Sequence, residues 1–365
     1  MARPERGAAT LAPMTEASVP TPGFRRLAYA AVAITFALVI VGGVVRISDS
    51  GLGCGPESSG TDGWPLCGGR VVPLVDANMI VEYSHRILAA ALTVTILAIA
   101  IFARRRYRDH RGLVIASTGA FGLVLFQAAL GGLTVEKGLK EELVAAHLGI
   151  AMLQIGLLIL VAQLARSAGG DSPVGGRRGR PPARFAGQGV RVLAIAATAA
   201  VLATIVAGGY MSASELHGTA DKATGPDVHT ACGTDFPSCG GEFLPFGRSR
   251  ELDIHLTHRA FMYLASLLVL SLVAAVLWQR RRRPGSADGT LVRASLATLG
   301  VLCLQVLLGA LNVWTGEHEW LIVAHLATGT LLWCSLVVVS LLALRSPRRA
   351  EAGARPEAGV QAVPA

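Results

Sequence analysis

Charged residues are scarce in this chain. Of its 365 residues only 16% are Asp, Glu, Lys or Arg, whereas soluble domains carry about 25%. Together with 52% hydrophobic residues, this shortfall excludes a disordered, fibrous or ordinary cytosolic protein. The sequence also lacks motifs typical of RNA or DNA binding, so we expect no nucleic-acid partner despite the net charge of +9. No cleavable signal peptide is evident, because the first apolar run is long enough to span a bilayer.

Long apolar runs occupy most of the chain instead. A membrane-spanning helix needs about 20 predominantly apolar residues. We therefore predict an all-α membrane protein with eight transmembrane helices in a lipid bilayer, flanked by disordered cytoplasmic tails at 1–24 and 346–365. The predicted spans are approximately residues 26–46, 81–103, 112–134, 143–165, 190–210, 256–278, 291–313 and 321–344.

Arginines cluster in alternate loops between these runs. Loops rich in Arg and Lys stay on the cytoplasmic side of a membrane. The pattern therefore predicts that both termini are cytoplasmic and that the other loops are external. The clusters are Arg25 and Arg26; Arg104, Arg105, Arg106, Arg108 and Arg111; Arg166, Arg177, Arg178, Arg180 and Arg184; Arg280 to Arg283; and Arg345, Arg348 and Arg349.

Four of the six cysteines form two pairs in the predicted external loops. The pairs are Cys54 with Cys67 and Cys232 with Cys239. An oxidising compartment favours disulfides, so we expect two short bridges. Free thiols or a zinc site are the alternatives, although zinc would need four ligands gathered from two loops.

An internal repeat relates the two halves of the chain. Glu82-Tyr-Ser-His85-Arg86 matches His255-Leu-Thr-His258-Arg259, and Ala146-His147-Leu matches Ala324-His325-Leu. Glycines recur with them, as Gly42-Gly43 and Gly131 in the first half and Gly208-Gly209 and Gly309 in the second.

Because each half starts on the same side of the membrane, the repeats are parallel. We predict two four-helix bundles, residues 25–166 and 190–345, joined by a cytoplasmic linker at 167–189 that is rich in Gly, Pro and Arg.

Four histidines lie near the external ends of predicted spans two, four, six and eight: His85, His147, His258 and His325. Burying an ionisable residue in a span is costly, and repetition at equivalent positions favours ligands over hydrogen-bonded structural histidines. Two facing helices of a bundle can hold a cofactor between them, and haem iron accepts two axial imidazoles. The sequence therefore predicts one bis-histidine haem site in each half.

The two halves differ beside their first histidine. Glu82 lies one turn before His85, whereas His255 holds the equivalent place before His258. This difference predicts chemistry on a bound molecule in the first half and a fixed cofactor in the second, with a simple interfacial Glu as the alternative. Arg86 and Arg259 are candidates to pair with haem propionates; otherwise they are interfacial arginines.

These motifs resemble the haem A synthase family, of the bacterial type with cysteine pairs in its external loops. The resemblance covers about residues 25–345. It rests on Gly42-Gly-Val-Val-Arg46, Ser50-Gly-Leu-Gly-Cys54, Trp64-Pro-Leu-Cys67, Glu82-Tyr-Ser-His85-Arg86, Ala146-His147, His255-Leu-Thr-His258-Arg259 and Ala324-His325.

The resemblance implies oxidation of the C8 methyl of haem O to a formyl group, through an alcohol intermediate, for cytochrome oxidase. It implies that His258 and His325 bind a haem b cofactor, that His85 and His147 lie at the substrate haem site, and that Glu82 is needed for catalysis. It also implies external disulfides and a bacterial plasma membrane. A shared hydrophobic substrate favours docking with the haem O synthase; the oligomeric state is left open.

One departure concerns the first loop. Twelve residues separate Cys54 from Cys67 but only six separate Cys232 from Cys239, and residues 55–63 resemble an insertion.

Other functions use some of the same residues. A dihaem b-type electron-transfer cytochrome would need the same four histidines and no substrate chemistry. A di-iron hydroxylase is suggested by Glu82-x-x-His85, but His255 replaces the carboxylate in the second copy. A transporter can also have parallel repeats, although it would not explain four paired histidines.

Overall fold

The computed structural model describes residues 19–55, 64, 66–71, 76–168, 186–214, 228, 230–282, 289–316 and 318–344. The predicted C-terminal tail lies outside these ranges. So do residues 1–18 of the predicted N-terminal tail and residues 169–185 of the predicted linker.

The described residues form eight α-helices and a short 3₁₀ turn, which confirms the predicted all-α class. All eight helices are long and apolar enough to cross a membrane. They are α1 (Pro22–Ile47), α2 (Ala77–Arg106), α3 (Arg111–Glu136), α4 (Glu141–Ala168), α5 (Gln188–Ala213), α6 (Arg250–Arg282), α7 (Gly289–Thr315) and α8 (Glu319–Ala343).

Polar residues at the helix ends explain why the helices extend beyond the predicted spans. Helix α1 starts at Pro22 because Thr21 caps it, accepting a hydrogen bond from the Phe24 amide at 3.3 Å. Helices α2 and α6 continue into arginines, which favourably neutralise the negative helix end. A span predicted from its apolar run alone leaves out these polar terminal turns.

Each half is a closed four-helix bundle. Helices α1 to α4 contact one another in sequence, and α4 returns to α1; helices α5 to α8 repeat this arrangement. The halves meet where α4 contacts α5, α1 contacts α8, and α4 contacts α8. This set of contacts is symmetric on exchange of the halves, as expected for a repeat.

Small residues allow the halves to approach closely. A Cβ on Gly43 would clash with Leu326 of the other half, and one on Gly209 would lie 2.9 Å from Leu148. The indole nitrogen of Trp333 crosses the same interface and donates to the Met152 carbonyl at 2.7 Å. The interface is therefore both close-packed and hydrogen-bonded, as between helices in membranes.

Both predicted disulfides are formed. Cys54 bonds Cys67 in the connection between α1 and α2, here called the first disulfide loop. Cys232 bonds Cys239 in the connection between α5 and α6, the second disulfide loop. Each loop has one antiparallel bridge that begins at its second cysteine. Most of the predicted insertion, residues 56–63, lies outside the described residues.

Candidate functional site

The four predicted histidines lie on alternate helices, two in each half. His85 on α2 interacts electrostatically with His147 on α4, and His258 on α6 does so with His325 on α8. Each pair belongs to one half, so the fold brings together the partners that the repeat suggested.

Each ring packs against a glycine on the helix that precedes its own. A Cβ added to that glycine would lie 2.9–3.1 Å from the Cε1 atom of the ring, whereas carbon atoms prefer about 3.5–4.0 Å. The four contacts are Gly42 with His85, Gly131 with His147, Gly208 with His258, and Gly309 with His325. We call these residues the ring-facing glycines.

The ring of His258 is held in one tautomer. Its Nδ1 lies 3.0 Å from the Thr204 carbonyl oxygen, and because a carbonyl only accepts, Nδ1 carries the proton. In the neutral ring this leaves Nε2 unprotonated, which is the form in which imidazole binds a metal.

The other rings show related geometry. Nδ1 of His85 and of His147 is buried and has no hydrogen-bond partner among the residues that the structure describes. Nδ1 of His325 is likewise buried and without a hydrogen-bond partner among the described residues. The Gln305 side chain lies against His325, with 3.1 Å between its amide nitrogen and Nε2. In the first half the equivalent Gln127 instead donates to the His147 carbonyl at 2.7 Å.

Glu82 is buried and tied to the first disulfide loop. One carboxylate oxygen accepts the Cys54 amide at 2.7 Å, and the other pairs with Arg86. Arg86 also donates to the Leu66 carbonyl at 2.6 Å. The carboxylate is therefore held one helical turn from His85 by two hydrogen-bonded partners.

His255 and Arg259 bind the second disulfide loop in an equivalent way. Nδ1 of His255 lies 2.9 Å from the Val228 carbonyl, and its Nε2 accepts from Arg259 at 2.7 Å. The Arg259 guanidinium also donates to the carbonyls of Ser238 and Asp235 at 2.8 and 2.9 Å. Leu66 and Ser238 each precede the second cysteine of their loop, so the two arginines contact equivalent backbone atoms.

The chemistry of each histidine pair suits a haem group. The part of the chain described here contains no cluster of three or more His, Cys, Asp or Glu placed to hold a bare metal ion. Haem iron needs few ligands from the protein, and the two imidazoles of each half would be the residues to supply them. The Nδ1 proton on His258 and the close contact of every ring with a helix backbone agree with this use.

The sequence predicts the histidines but not the role of the glycines, which stand out only as part of the repeat. One signal in the sequence does link glycine and ring, because Gly131 and Gly309 each lie sixteen residues before their histidine.

Comparisons with known proteins give a family match over most of the chain. The family described as COX15-CtaA, cytochrome oxidase assembly protein, matches residues 25–337, a range that includes Glu82 and all four histidines. The haem A synthase of Halalkalibacterium halodurans is 28% identical over 310 residues, 85% of this chain and 93% of that protein. The haem A synthase of Alkalihalophilus pseudofirmus is 28% identical over 67% of this chain and 72% of its own. That of Symbiobacterium thermophilum is 27% identical over 79% and 84%.

Proposed function

The chain belongs to the COX15-CtaA family of cytochrome oxidase assembly proteins, and we therefore propose that it acts as a haem A synthase. The reaction is oxidation of the C8 methyl of haem O to a formyl group by successive hydroxylations through an alcohol. The observation that carries the proposal is the pair of buried histidines in each half, of which only the first pair has a buried carboxylate one turn from one of its histidines.

The two halves take different haems in this proposal. His258 and His325 hold a haem b cofactor in the second half, and His85 and His147 hold the substrate haem O in the first. Haem supplies the redox chemistry when bound, and the protein positions it. The Nδ1 proton of His258 fixes one ligand nitrogen, and the equivalent packing of the other rings supports the same role for them.

Glu82 is the proposed catalytic residue. A carboxylate can accept or relay a proton, or stabilise positive charge that develops on the substrate. The Cys54 amide and Arg86 hold both of its oxygens, so its position is set by the first disulfide loop. Arg86 and Arg259 remain proposed propionate contacts. Arg86 is the more accessible of the two, because it is partly exposed whereas Arg259 is buried.

The proposed location is the plasma membrane of a bacterium with both termini cytoplasmic. The arginines at the ends of α2 and α6 support this orientation, because both disulfide loops bind the opposite ends of the same helices. Docking with the haem O synthase is proposed on the ground of the shared hydrophobic substrate.

The proposal is tested by conversion of haem O. The protein is expressed with a haem O supply, purified in mild detergent, and its extracted pigments are identified by chromatography and mass spectrometry. We expect haem B together with haem O, its alcohol or haem A. Haem B alone, at two per chain, would overturn the proposal in favour of a dihaem electron-transfer cytochrome.

The Glu82→Gln variant separates catalysis from haem binding. The amide oxygen can still accept a hydrogen bond from the Cys54 N–H. The amide carries no negative charge, however, and cannot accept a proton as the carboxylate can. We expect no alcohol or haem A from this variant while haem B is retained. Normal product formation would show that Glu82 has no catalytic role.

A further inference from the structure

We propose that the four ring-facing glycines are positioning residues for the haem ligands. Their missing Cβ lets each imidazole lie directly on a helix backbone, so that Cε1 and Nδ1 lie nearer that backbone than Nε2, the nitrogen proposed to bind iron. The inference rests on the proposed haem ligation by the same histidines. The residues are Gly42, Gly131, Gly208 and Gly309.

One contact geometry recurs at all four ring-facing glycines. In all four cases the glycine lies on an odd-numbered helix and the histidine on the helix that follows. In all four the nearest ring atom is Cε1, at 2.9–3.1 Å from the added Cβ, and Nδ1 is next, at 3.1–3.7 Å. The same ring edge therefore faces the glycine every time, although packing alone would accept any edge.

The hydrogen bond of His258 is made to the helix that carries its ring-facing glycine. Its acceptor, Thr204, lies four residues before Gly208, which places the carbonyl one helical turn from the glycine. Gln305 lies four residues before Gly309 in the same way, and its side chain lies against the ring of His325. Equivalent positions in the first half are Leu38 and Gln127.

A side chain at any of these glycines would press directly against the histidine ring proposed as the haem ligand. Optimal carbon contacts are about 3.5–4.0 Å, so a Cβ at about 3 Å must move the ring or the helix by several tenths of an ångström. Metal sites depend on ligands held to within about 0.5 Å. Loss of an orienting contact to a ligand typically weakens metal binding about 10- to 100-fold.

Ordinary helix packing by small residues is the competing explanation. Gly43 and Gly209 show what it produces, because they face the aliphatic side chains of Leu326 and Leu148. They directly follow Gly42 and Gly208 in sequence, which face rings instead.

The test compares glycines on the same helix. Gly309→Ala is matched by Gly300→Ala on α7, and Gly131→Ala by Gly122→Ala on α3. Added Cβ atoms at Gly300 and Gly122 would meet no neighbour within 4 Å. The readouts are the amount of each haem that stays bound during washing in detergent and the electron paramagnetic resonance signal of each low-spin iron.

We expect Gly309→Ala to weaken retention of haem b about tenfold or more, or to shift its resonance signal, while binding in the first half stays normal. Gly131→Ala should weaken retention of haem O and leave haem b unchanged. Binding in the unaltered half shows in each case that the variant is folded. Variants indistinguishable from Gly300→Ala and Gly122→Ala would overturn the inference.

Two histidine variants distinguish failure of this inference from failure of the proposed function. If His258→Ala and His325→Ala both keep haem b, the ligand assignment is wrong and the glycines have no ligand to position. If they lose haem b but Gly309→Ala behaves as its control, the ligand assignment stands and only the positioning role is rejected.

Discussion

Glu82 and His255 hold equivalent positions and each joins its helix to the disulfide loop of its own half. Glu82 accepts a hydrogen bond from the Cys54 amide, whereas His255 contacts the Val228 carbonyl. Each also pairs with the arginine four residues later. The exchange of Glu for His therefore keeps the attachment of the loop and changes the charge beside the neighbouring histidine, the proposed haem ligand.

Arg259 tests the structural part of this attachment. In Arg259→Leu the carbonyls of Ser238 and Asp235 lose a charged donor, which destabilises the attached loop by on the order of 3 kcal/mol. We expect amide hydrogen exchange in residues 232–247 to become roughly 100-fold faster, since each 1.4 kcal/mol is a factor of ten. Mass spectrometry of the exchanged peptides measures this change.

The control for this prediction is Arg248→Leu in the same loop. Arg248 pairs with Glu242 at 2.7 Å, but both side chains are more than half exposed. Exposed pairs contribute little, so exchange should change by less than about threefold. Equal effects of the two variants would contradict the buried attachment through Arg259.

The histidines could be predicted from the sequence because burying four ionisable residues at repeated positions needs an explanation. The ring-facing glycines could not be assigned in this way. Whether Gly42 contacts His85 depends on the relative rotation and height of α1 and α2, which neighbouring residues in the sequence do not encode. The same holds for the contact of Glu82 with Cys54, because it depends on how the loop folds back onto α2.

At the scale of elements, the eight helices were predictable because each contains an apolar run longer than a bilayer requires. Their ends were less predictable. Helix α6 begins at Arg250, six residues before its predicted span, because Glu251 and Asp253 favour a helix N-terminus but interrupt the apolar run.

The disulfide loops give a prediction about thiols. In protein denatured without reductant, only Cys303 and Cys334 should react with a maleimide, because the other four cysteines are bonded. Two labels per chain are therefore expected before reduction and six after it, counted by intact-mass measurement. Four or more labels before reduction would show that at least one loop is held by something other than its disulfide.

At the scale of the molecule, helices α4 and α8 form the centre of the interface between the halves. They are the two most buried helices, and they also carry His147 and His325. Because α1 packs on α8 and α5 on α4, each half contacts the helix that bears a ligand of the other half. The interface thus fixes the two proposed haem sites relative to each other.

Trp333 tests this interface. It is 5% exposed and donates to Met152 across the halves. Trp333→Phe removes that hydrogen bond and some packing volume, so we expect a loss of about 1–2 kcal/mol in the free energy of unfolding. Unfolding in mixed micelles with increasing dodecyl sulfate measures it.

Trp320 on the same helix is the control for this measurement, because it is 81% exposed. Trp320→Phe should change the unfolding free energy by less than about 0.5 kcal/mol. A Trp333→Phe variant as stable as Trp320→Phe would mean that the halves are not held together through this contact.

The central claim is that the two histidine pairs hold two different haems. Single His→Ala variants at positions 85, 147, 258 and 325, loaded with haem O as above and analysed by pigment extraction, test it directly. The account predicts that loss of His258 or His325 removes haem B, whereas loss of His85 or His147 leaves haem B bound and removes haem O and its oxidation products. Loss of the same pigment from variants in both halves would contradict the account.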